Sequence, residues 1–225
     1  MQSSITSLSK QLHAIANPEK ATGAKAYMKD QFEFLGIPMP VRRRICKAWI
    51  KESSLSIETK LEQMVRELWK MEEREFHYCA IELMASHKKL WNENIISLFE
   101  YCIINKSWWD SVDFIATECL GPYFKMFPGN AERITGRWNK SGNIWLQRSS
   151  LLFQKSYKEH TNLVLLSKYI KHLSTSKEFF IRKAIGWILR EYGKTDPQWA
   201  IDFVGTHELS PLSKREALKH LGEKK

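Results

Sequence analysis

Apolar residues recur at intervals of three and four through "KLEQMVRELWKM", "REFHYCAIELMASH", "NENIISLFEYCII", "NIWLQRSSLLFQKSY" and "KEFFIRKAIGWILREY". That is the period of an amphipathic helix, and strand alternation bounded by hairpin signals is absent. Breaks containing Pro, Gly, Asn or Ser separate the helical stretches, so the pattern predicts about a dozen helices with short connections. The expected fold is all-α.

Four aromatic residues stand near the starts of predicted helices: Phe76, Trp109, Trp145 and Phe180, at successive offsets of 33, 36 and 35 residues. That interval holds one helical hairpin. Phe76, Trp145 and Phe180 are each followed four residues later by a small residue, Ala80, Ser149 or Ala184, as close helix packing favours, whereas Trp109 is followed by Asp113. Irregular repeats of this length predict stacked helix pairs, an α-solenoid with a concave face and a single domain over residues 1–225.

One helix separates into two faces. At about 100° per residue, Ile181, Ile185, Ile188 and Tyr192 of "KEFFIRKAIGWILREY" form one apolar stripe, the expected core face. The far side gathers Phe179, Phe180, Lys183, Trp187 and Arg190, three rings and two cations. Such a face either packs against the next repeat or forms a nucleic-acid surface, with cations on phosphate and rings against sugars or bases. Thr175 and Glu178 have the spacing of a capping box for this helix.

Composition adds a direction. The chain has 225 residues, and 35 Lys and Arg against 25 Asp and Glu give a formal net charge of +10, which favours a polyanionic partner such as nucleic acid or an anionic membrane surface. With 43% apolar residues and nine Trp, the core needs neither disulfides nor metals. Cys46, Cys79, Cys102 and Cys119 form no CxxC pair and have no His at zinc spacing, so they read as buried thiols in a reducing compartment. The start, "MQSSITSLSKQLHAIANPEK", lacks a signal-like apolar region, and no later stretch approaches the roughly 20 apolar residues of a membrane span. A soluble, cytoplasmic, monomeric protein is expected, with no membrane partner.

Two predicted helix starts carry the wrong sign of charge. Helix N-termini are partially positive, yet Pro40 at a first helical position is followed by Arg42, Arg43 and Arg44, and a second start, with Ser210 or Ser213 as its cap and Ser213 and Glu216 at capping-box spacing, has Lys214 and Arg215 directly inside it. Solvated charge tolerated at small cost explains either site; an external nucleic-acid phosphate would remove both conflicts.

In "NKSWWDSVDFIATECL", Ser107 and Asp110 have capping-box spacing, which accounts for the first aspartate. Trp108, Val112, Ala116 and Cys119 fall on a core stripe, while Trp109 and Asp113 are neighbours at its edge. A carboxylate against an indole repels the phosphates that the rest of the surface attracts, so a cation must compensate. It is a structural Arg, a metal or a positively charged substrate; no second carboxylate or His at ligand spacing argues for a metal. Cleaving a glycosidic bond builds positive charge on a sugar, which a nearby anion stabilises. Arg148 and Lys155 share a helix face, and Arg148 is able to pair with Asp113, to clamp a phosphate beside the sugar, or to do each in turn.

Here the chain resembles a family. The strings "ANPEKA", "YMKDQFEFLGI", "RELW", "EREF", "KSWWDSVD", "NIWLQR", "STSKEFF", "IRKAIGWILREY", "KTDP" and "LSPLSKREALKH" are similar, in order, to those of AlkD-type bacterial DNA alkylation repair enzymes, alkylpurine DNA glycosylases built from HEAT-like helical repeats. The resemblance implies excision of cationic N3- or N7-alkylated purines from duplex DNA on a basic concave face, without metal or nucleotide cofactor and without flipping the base into a pocket. It implies that Asp113 stabilises the developing sugar cation and positions the water, that Trp109 and Trp187 lie against the lesioned nucleotide's backbone, and that Arg148 holds an adjacent phosphate. Phe179, Phe180, Lys183, Arg190 and Tyr27 become further DNA contacts. The sequence departs from the pattern at "GIPMP", Gly36 to Pro40. A DNA-binding module of the same fold without catalysis, specific for damaged or branched DNA, is the alternative; a protein-binding solenoid is a third reading.

Overall fold

A computed structural model describes residues 2–219; Met1 and His220, which closes the last of the quoted strings, lie outside them. Among the described residues the fold is all-α, with fourteen α-helices and short 3-10 turns. Two compact units, Met1–Asn92 and Glu93–Lys225, divide the chain.

The first unit holds α1 (Gln2–His13), α2 (Pro18–Tyr27), α3 (Met39–Glu52), α4 (Ser54–Lys70) and α5 (Arg74–Ser86). Asn17 caps α2 by accepting from the Lys20 N–H at 2.9 Å, with Pro18 following it, as an N-cap and a first-turn proline should. Apolar positions of α4, among them Leu61, Met64, Val65 and Leu68, are buried with Phe76, Cys79, Leu83 and Met84 of α5. The loop before α3 is fixed from below by Glu75. Its buried carboxylate accepts from the backbone N–H groups of Leu35 at 3.0 Å, Gly36 at 2.9 Å and Ile37 at 3.3 Å. Gly36 sits at φ +74, and a Cβ there would lie 2.2 Å from the Asn17 carbonyl oxygen, so no other residue fits. Arg74, fully buried, lies 3.8 Å over the Phe32 ring. His77 Nε2 contacts the Met71 carbonyl at 2.9 Å and its Nδ1 lies 3.1 Å from the Arg74 guanidinium; a proton on Nε2 satisfies both contacts.

The second unit holds α6 (Ile96–Ile104), α7 (Trp109–Ile115), α8 (Gly121–Met126), α9 (Ala131–Asn139), α10 (Ile144–Leu152), α11 (Leu163–Leu173), α12 (Phe179–Gly193), α13 (Pro197–Thr206) and α14 (Pro211–Leu218). A π-helical stretch, Ala116–Leu120, joins α7 to α8. α10 packs against α7 and α12, with α9 and α11 behind, and α12 also contacts α13 and α14. Gly186 lets α14 approach α12, because a Cβ there would meet Glu216 Cβ at 2.4 Å and the Ser213 carbonyl at 2.8 Å. The four anchors stand near helix starts as expected: third in α5, first in α7, second in α10 and second in α12.

The three expected capping boxes do not form. α7 begins at Trp109, and the Ser107 hydroxyl turns back to donate to the Ile103 carbonyl at 2.6 Å. Glu178 is itself the N-cap residue of α12, its N–H donating to the Ser176 hydroxyl at 3.2 Å. In α14 the cap is Ser210, accepting from the Ser213 N–H at 3.1 Å, while the Ser213 hydroxyl donates to the Arg182 carbonyl at 2.9 Å. For Ser107 and Ser213 a carbonyl of a preceding turn or another helix takes the hydroxyl that the local reciprocal pair would need.

Candidate functional site

Asp113 lies on α7 one turn after Trp109, before the π-helical stretch begins. Its two oxygens face Arg148 of α10: Nε donates to Oδ1 at 2.6 Å and Nη2 to Oδ2 at 2.7 Å, while Nη1 donates to the Phe180 carbonyl. Two parallel charge-assisted bonds fix the carboxylate in its plane. The Asp113 side chain keeps 12% of its surface exposed, the Arg148 side chain 3%. Arg148 thus forms the ion pair expected of it.

Trp187 stands over this pair. The Arg148 guanidinium lies 5.7 Å from its ring centre and the Lys155 ammonium 5.2 Å, both within cation–π range. Beside it, Trp108, Trp145 and Phe180 form a cluster with centroid separations of 5.7, 5.1 and 5.0 Å. Phe179 packs edge-on against Phe180 and is 57% exposed. Trp109 is half-buried at the start of α7. Asp113, Arg148, Phe180 and Trp187 are thus brought together from three helices.

The remaining expected contacts are placed differently. Lys183 and Arg190 converge on Glu216 of α14, at 3.0 and 3.3 Å, and the Lys183 ammonium beside Glu216 holds its carboxyl below the ordinary value. Lys214 and Arg215 lie beyond the first turn of α14, with Arg215 in its last turn, where positive charge suits the helix dipole. In the first unit, α3 begins at Met39, so Arg42 to Arg44 fall in its second turn. Arg42 is only 4% exposed, 3.0 Å from Glu82 and stacked 4.8 Å over Tyr78; Arg43 reaches the same carboxylate at 3.1 Å. Arg42 and Arg43 are thus met inside the protein by Glu82, and their conflict requires no external phosphate. Tyr27, at the end of α2, is 68% exposed.

Sequence spacing missed Glu82, Glu216 and the Phe180 carbonyl as partners, because each comes from a distant helix. Lys155 had a signal, its shared face with Arg148, yet only the fold shows that both cations flank Trp187. Among the described residues no group of three or more His, Cys, Asp or Glu is placed to hold a metal ion, and no helix is long and apolar enough to cross a membrane.

An all-α chain with this carboxylate, guanidinium and indole grouping falls in a known class: the sequence profile of the family described as DNA alkylation repair enzyme matches residues 8–221, and the chain belongs to that family. Among solved structures, that of a predicted DNA alkylation repair enzyme from Enterococcus faecalis is similar to it, with 38% sequence identity and a TM-score of 0.86 over 93% of this chain and 98% of that one. No curated protein matches the chain.

Proposed function

We propose that the protein is a DNA glycosylase that releases cationic N3- or N7-alkylated purines, 3-methyladenine and 7-methylguanine, from duplex DNA without flipping the base into a pocket. It works as one HEAT-like repeat domain over residues 1–225, a cytoplasmic monomer that uses neither metal nor cofactor. The observation that carries this reading is the Asp113 carboxylate, clamped at both oxygens by Arg148 yet partly exposed beside Trp187.

The chemistry follows from the substrate's charge. When the bond from C1′ to the base nitrogen breaks, its electron pair goes to the base, which leaves neutral, and the sugar becomes an oxocarbenium ion. No general acid is needed, since a cationic base is already a good leaving group. Asp113 stabilises the sugar cation. Each of its oxygens keeps a lone pair beyond the one given to Arg148, so it can also accept a hydrogen bond from the water that attacks C1′ and then take that water's proton, which passes on to solvent. Trp109 and Trp187 lie against the nucleotide's backbone, Phe179 and Phe180 border them, and Tyr27, Arg43, Lys183, Arg190, Lys214 and Arg215 supply further contacts. Arg42 supports α3 through Glu82.

Asp113→Asn keeps the side chain's shape and removes its charge. The expected result is duplex binding retained and release of 7-methylguanine from methylated DNA reduced by about 10²-fold or more, read by chromatography of free bases. Undiminished release would refute the catalytic role. Binding by the wild-type protein with no base released would favour the non-catalytic DNA-binding module.

A further inference from the structure

Arg148 is poorly placed to take a phosphate. Three of its N–H groups are committed to Asp113 and the Phe180 carbonyl, and its side chain is nearly closed to solvent. Lys155 lies over the same Trp187 ring, is part-exposed, and has no carboxylate partner among the described residues. It also lines a cavity of about 310 Å³ together with Lys158, Lys194 and Thr195. That volume is at the small end of the roughly 300 to 1,000 Å³ of ligand sites, and its lysines give it the charge a phosphate needs.

The cavity's wall is built from fixed groups. Gln154, buried, accepts from the Asn162 N–H at 2.7 Å and donates to its carbonyl at 3.4 Å. Lys158, at φ 52, is held by its carbonyl, which accepts from the Thr161 N–H at 3.0 Å and hydroxyl at 2.7 Å. Glu191 also lines the cavity but is occupied by Lys194 at 2.6 Å. Lys155 and Lys158 are left as two cations without an ion pair among the described residues, and Lys155 lies over the indole of the candidate site.

We infer that this cavity is a seat for a DNA phosphate next to the nucleotide that lies on Trp187, with Lys155 and Lys158 as its cations and the Thr195 hydroxyl as a donor. The inference rests on the proposed duplex substrate and transfers to Lys155 the phosphate contact expected of Arg148.

The test is the salt dependence of binding to unmodified duplex DNA, which needs no excision. Each phosphate neutralised contributes about 0.9 to the slope of log K against log salt. The double variant Lys155→Gln, Lys158→Gln empties a seat for one phosphate and should therefore lower the slope by about 0.9. The double Arg variant should preserve it, and a control pair, Lys140→Gln just after α9 with Lys171→Gln on α11, should leave it unchanged. An unaltered slope in the first variant, or an equal fall in the control pair, overturns the seat. Base release is scored separately on methylated DNA. A wild-type protein that shows the slope difference but frees no base keeps the seat and loses the glycosylase, whereas release without a slope difference does the reverse.

Discussion

Glu75 exchanges water for three backbone amides of the loop that enters α3. Hydrogen bonds to a charged acceptor are among the stronger ones, and buried donors left without partners cost about 1 to 3 kcal/mol each. Glu75→Ala is accordingly expected to destabilise the protein by about 3 to 5 kcal/mol, measured by urea unfolding; a loss below about 1 kcal/mol would show that water replaces the carboxylate. Nothing near Glu75 in the sequence announces this role, because its partners are about forty residues away. Asp113 was more legible. Its indole neighbour, its excess charge and the candidate cation at Arg148 were all readable, while the choice between an ion pair and a phosphate clamp was not, since it depends on where the Phe180 carbonyl falls.

Between helices, the contact of α12 with α14 turns on Gly186. Gly186→Ala would drive a Cβ into the Ser213 carbonyl and Glu216 Cβ, and forced overpacking typically costs about 1 to 3 kcal/mol. Gly205, inside α13 with open space around it, supplies the contrast: alanine there should stabilise by about 0.5 to 1 kcal/mol. Thermal unfolding of the two variants should move in opposite directions, and equal shifts would remove the packing argument. The two faces of α12 were legible from period alone: Ile181, Ile185 and Ile188 are buried and Phe179 is exposed. Its caps were not, because capping-box spacing does not reveal that Ser213 has a carbonyl of another helix to bond, or that Glu216 has two cations.

Over the whole chain, the formal charge of +10 already counts every carboxylate, and what pairing decides is which cations are committed: Glu82 holds Arg42 and Arg43, and Glu216 holds Lys183 and Arg190. All four cysteines are buried and outside disulfides. A thiol reagent should therefore label none of them in the native protein and all four after unfolding, and rapid labelling of the native protein would contradict their burial. The all-α class follows from period, but period does not foresee the π-helical stretch after Asp113, where side chains stop obeying a regular turn. A π-helical turn holds one residue more than an α-turn, so loss of one residue between Ala116 and Leu120 would close the wide turn with α8 still in phase, whereas loss of a second would swing α8 by about 100°, carrying Tyr123 and Phe124 off the core they now fill. In this stretch the number of residues is under as much constraint as their kind.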